Sequence, residues 1–68
     1  MNSAFNRTKY IVRFEHLWQG EWNKDFLSNN GSGFTMYDAE DIVNDLKTRH
    51  NIRDAHYEEY NAIRIQLF

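Results

Sequence analysis

Residues 34–51, FTMYDAEDIVNDLKTRHN, decide the fold, because they are the one stretch with helical periodicity. Ala39, Ile42, Val43 and Leu46 fall at i, i+3, i+4 and i+7 and form a single apolar stripe. Thr35 is placed to cap the helix, with Asp38 three residues on as in a capping box and Phe34 as a hydrophobic staple. Asp38, Glu40 and Asp41 crowd the first turns, and Lys47, Arg49 and His50 the last, as the helix dipole favours. Asn51 suits a left-handed residue after the helix end. One stripe requires one partner surface, which the rest of the chain must supply.

Before the helix, residues 9–18 alternate as a strand and residues 21–27 as its return, with Gly20 in the connection. A two-residue loop would oppose Phe14 to Asp25 and Arg13 to Phe26, mixing apolar and charged positions. A three-residue loop, Trp18-Gln19-Gly20, would instead oppose Val12 to Phe26, set Trp22 beside His16, and put Arg13 against Asp25 and Ile11 against Leu27. This second register is the expected one. Residues 28–33, SNNGSG, are turn formers leading to the helix cap. After the helix, residues 52–59 are ambiguous because Glu58-Glu59 interrupts the alternation. Residues 60–68 read as the final strand, with Ile63, Ile65 and Leu67 on one face.

The expected architecture is a small α+β domain, β-β-α-β, with a three-stranded antiparallel sheet in the order 2-1-3 and one helix packed on one face. Its core comprises Val12, Phe14, Trp22, Phe26, Ala39, Ile42, Val43, Leu46, Ile63, Ile65 and Leu67. The 68 residues make a single domain, with residues 1–8 as a flexible N-terminal arm. An aromatic content of 16% is how so short a chain builds a core without disulfides or thiolate metal sites, since it has no Cys. The absence of Cys fits a reducing, cytoplasmic setting. No signal-peptide core or membrane-length apolar run is present. The net charge of −2 argues against a general nucleic-acid binder.

No constellation for catalysis, metal or cofactor binding emerges. His16, His50 and His56 lack metal-ligand spacing, and NNGSG lacks the Lys-Ser/Thr of a phosphate-binding loop. The candidate partner contacts are Trp18 and Gln19 at the hairpin tip, the acidic helix stripe Asp38, Asp41 and Asp45, and Phe68 on the uncovered sheet face. The unpaired edge at residues 21–27 and the apolar side chains Ile11, Leu17, Leu27 and Phe68 suggest a homodimer. The alternative is a single-stranded nucleic-acid binder using Arg7, Lys9, Arg13 and Arg64 on the open face and basic arm.

The short, Cys-free, Pro-free, Asn-rich composition resembles the small accessory proteins of tailed bacteriophages. Some of those bind and inhibit host or defence proteins. The resemblance implies a small non-enzymatic protein-binding module, an inhibitor or modulator of a host or defence protein, and it carries no particular residues.

Overall fold

The computed structural model describes residues 8–60. Strand β1 (Lys9–Trp18) turns into β2 (Glu21–Leu27), helix α1 (Met36–Leu46) follows, and β3 (Ile52–Tyr60) is the last element among the described residues. The sheet is antiparallel in the order β2-β1-β3, as the sequence predicts. The helix packs across β1 and β3. Val12, Ala39 and Val43 are buried at the centre, and Tyr10, Phe14, Phe34, Ile42, Leu46, Ala55 and Tyr57 pack around them.

The helix start follows its sequence. The Asp38 backbone N–H donates to Thr35 Oγ1 at 3.2 Å, satisfying one of the donors that a helix N-terminus leaves unpaired. Thr35→Ala is expected to cost about 1 kcal/mol, lowering the melting temperature by several degrees. Thr35→Ser should recover most of it.

The helix end comes earlier than expected. Lys47 is the C-cap and no basic residue lies in the last turn. Thr48 and Arg49 donate from their backbone N–H groups to Asp45 and Leu46 carbonyls, so the chain turns out of the helix through these contacts. Asn51 does not adopt a left-handed conformation.

Three further expectations are corrected. The hairpin has the two-residue loop: Trp18 pairs with Glu21, Phe14 with Asp25 and Arg13 with Phe26. Gln19 and Gly20 have φ of 52° and 80°, the positive pair of a type I′ turn, whose twist matches that of the strands it joins. The longer loop would suit a β2 whose inner face the helix covers. It packs instead on β1 and β3, so the faces of β2 escape that constraint.

The strand that pairs with β1 opposite β2 is Ile52–Tyr60, the stretch whose alternation is ambiguous in the sequence; residues 61–68, which fall in the expected final strand, lie outside the described residues. Ile63, Ile65 and Leu67 lie outside the described residues, as does most of the N-terminal arm. Ala55 and Tyr57 fill the expected core positions on this strand. Its alternation is hidden by a bulge: the pairing with β1 shifts between Arg13 and Glu15, and Asp54 takes a left-handed φ of 58°. The extra residue lets Ala55 face the helix while Arg53 faces away; on an unbroken strand the two would share a face.

Third, Trp22 and Phe26 leave the core. Arg13, Glu15 and Leu17 of β1 face away from the helix, and their partners Phe26, Lys24 and Trp22 therefore do so too. Asp25 and Leu27 move to the helix side, opposite Phe14 and Val12. His16 is paired with Asn23 rather than set beside Trp22.

The connection from β2 to the helix is a compact loop. The Ser28 carbonyl accepts from the backbone N–H groups of Gly31 and Gly33, and the chain then returns to pair Phe34 with Tyr10 through two 2.8 Å hydrogen bonds. Phe34 thus prolongs the line of β2 and hands the chain to the helix cap.

Candidate functional site

The sheet face turned away from the helix gathers side chains from all three strands. Its rungs follow from the register: Phe26–Arg13–His56, then Lys24–Glu15–Arg53, then Trp22–Leu17. The Arg53 guanidinium lies over the Trp22 ring, 4.3 Å from its centroid, and its Nε donates to Glu15 Oε1 at 2.8 Å. The Arg13 guanidinium lies 5.7 Å from the Phe26 centroid, and its Nε donates to Glu58 Oε2 at 2.6 Å. His56 Nε2 approaches the same carboxylate at 3.5 Å. Each arginine thus stacks on an aromatic ring of β2 and is held by a carboxylate, an arrangement in which the guanidinium satisfies its planar faces and its edge together. A depression of about 740 Å³ is lined by Arg13, Glu15, Lys24, Phe26 and His56 of this face together with Phe14, Asp25, Asp54 and Ala55 between them. Ile11, at the far end of the same face, is almost completely buried.

The hydrogen bond from Arg13, with its charge, holds the Glu58 carboxyl below its ordinary 4.5. A lowered folded-state value means that the carboxylate stabilises the fold above pH 4.5. This contribution is lost as pH falls through the lowered value. Because both side chains are nearly half exposed, the effect is small. Glu58→Gln is therefore expected to lower the melting temperature slightly near neutrality and to converge on the parent well below pH 4.5, which flattens the acid limb of the profile.

The expected contact residues are scattered. Trp18 ends β1 and is 63% exposed. Gln19 occupies the adjacent turn. Asp38, Asp41 and Asp45 are exposed on the helix, and Asp45 is held by Arg49 at 3.0 Å. They do not meet the hairpin residues in one patch. Lys9 and Arg13 share the outer face. Phe68, Arg7 and Arg64 lie outside the described residues.

Trp22, Lys24, Phe26, Arg53 and His56 were missed as site residues. Their signal was the alternation W-N-K-D-F read with a two-residue Gln19-Gly20 turn, which places Trp22, Lys24 and Phe26 on one face. The two tryptophans are separable by experiment. Trp18→Ala is expected to leave the melting temperature within about 2 °C of the parent, as exposed positions do. Trp22→Ala removes the platform under Arg53 and should cost about 1 kcal/mol.

Comparison of the chain with protein-family models, with curated proteins and with solved structures finds no match. Among the described residues no group of three or more His, Cys, Asp or Glu is placed to hold a metal ion. Among them, too, no helix is long and apolar enough to cross a membrane.

Proposed function

We propose that this chain is a small non-enzymatic protein-binding module, an inhibitor or modulator, whose contact surface is the outer face of the sheet. The observation that supports this reading is the gathering of Trp22, Phe26, Arg13 and Arg53 on that one face. Tryptophan and arginine are the residue types that most often carry binding energy at protein interfaces. A single-stranded nucleic acid is the second reading, favoured by the combination of aromatics with Lys9, Arg13, Lys24 and Arg53. Two features weigh against it. The arginines already hold carboxylates at 2.6 and 2.8 Å, with which phosphates would compete. Guanidinium groups also lie over the Trp22 and Phe26 rings that bases would need for stacking.

A photo-cross-linking residue in place of Phe26, used in extracts of the producing cell, tests the reading. A discrete protein adduct is expected, absent when the cross-linker replaces Glu40 on the helix. A nuclease-sensitive adduct would favour nucleic acid. Identical adducts from both positions, or none from Phe26, would sink the proposed surface.

A further inference from the structure

Within that reading, the edge of the sheet specifies the chemistry of the partner. Strand β2 is the outer strand beside β1, and Lys24, Asp25, Phe26 and Leu27 are all exposed. Its backbone on the far side from β1 is a template for another strand, with the Phe26 N–H, which donates to Asp25 Oδ1 at 2.8 Å, to be released on pairing. Trp22, Lys24 and Phe26 alternate along it on the outer face, so an added strand would set three of its own side chains beside them. Lys24 carries the selective charge. The Glu15 carboxylate opposite it is bonded to Arg53, and Lys24 has no ion-pair partner within 4.0 Å among the described residues. Arg13 and His56 line the same depression as Lys24, but so do Glu15, Asp25 and Asp54, and Arg13 is held by Glu58, so the selective charge on this edge is that of Lys24 alone.

We propose that the partner supplies an acidic extended segment that adds along β2, with a carboxylate at Lys24 and apolar side chains at Trp22 and Phe26. The segment reads apolar, any, acidic, any, apolar. A second copy of this chain fits less well. Antiparallel pairing that sets Trp22 against Phe26 of another β2 brings Lys24 against Lys24, a like-charge cross-strand pair. A nucleic acid offers the edge no peptide backbone with which to continue the sheet.

The test uses a synthetic peptide in which threonine alternates with valine, glutamate and valine, and the same peptide with lysine for glutamate. Binding is read from Trp22 fluorescence in a Trp18→Phe background. The glutamate peptide is expected to bind at least about tenfold more tightly than the lysine peptide, as an opposed charge against a like charge predicts. Lys24→Glu should reverse that order, and Lys24→Gln should abolish the preference if the charge reversal prevents folding. Equal binding of the two peptides, or a preference unmoved by Lys24→Gln, would overturn the proposal. So would tighter binding of oligothymidylate, or a dimer in sedimentation that the peptide does not dissociate. Failure here with a protein adduct at Phe26 leaves the broader reading standing, whereas absence of that adduct removes both.

Discussion

Gly33→Ala is expected to destabilise the domain by about 2–4 kcal/mol, through two separable costs. Gly33 has a φ of 79°, where an alanine Cβ is strained by roughly 1–2 kcal/mol. The added Cβ would also stand 2.5 Å from Lys9 Cβ and 3.0 Å from Tyr60 Cδ2. Lys9 Cβ is fixed to the backbone of β1 and cannot swing aside as the tip of a flexible side chain could. Relieving the contact therefore means shifting backbone where Phe34 must still pair with Tyr10. Gly20→Ala provides the control. Its φ is 80°, but nothing lies within 4 Å of the added carbon, so only the conformational cost applies. Denaturant titrations should show Gly33→Ala well below Gly20→Ala in midpoint. Equal losses would mean that the approach of the loop to Lys9 is loose.

Val12→Ala is expected to cost roughly 2–3 kcal/mol, from lost burial plus the cavity left behind. A domain this size commonly has only about 3–5 kcal/mol in total. Val12 is 0% exposed and lies against Ala39 and Val43 where sheet and helix meet. The sequence periodicity treats Ile42 and Leu46 as equal members of the same core, where truncation would cost roughly 2–5 kcal/mol. Both are half-buried at its margin, so Leu46→Ala should cost about half that of a fully buried leucine, roughly 1–2 kcal/mol. Thermal melts should rank Val12→Ala below Leu46→Ala. The reverse order would place the centre of the core nearer the helix terminus.

The strand order, the hairpin, the helix start and the buried helix stripe were all legible in the sequence by itself. Each is written in local signals. Ala39 and Val43 recur at helical spacing, Thr35 precedes the helix at capping distance, and residues 9–18 alternate with a glycine turn after them. A strand order of 2-1-3 follows because a short chain with one helical stripe has few other ways to cover it.

What only tertiary structure decided was which faces the helix covers and where β3 begins. The helix spans β1 and β3, leaving β2 outside its reach. The apolar residues of β2 were therefore under no pressure to point inward, and the turn geometry of Gln19 and Gly20 set the register instead. The bulge at Asp54 reversed the alternation of β3 in mid-strand, and the charged pair Glu58-Glu59 masked it again near the strand's end. That reversal turns Arg53 outward, toward Trp22 and Glu15. The candidate site joins three strands through residues far apart in sequence, and its composition depends on register. A shift of one residue on β2 exchanges Trp22, Lys24 and Phe26 for Asn23, Asp25 and Leu27, and no local signal in those residues carries that choice.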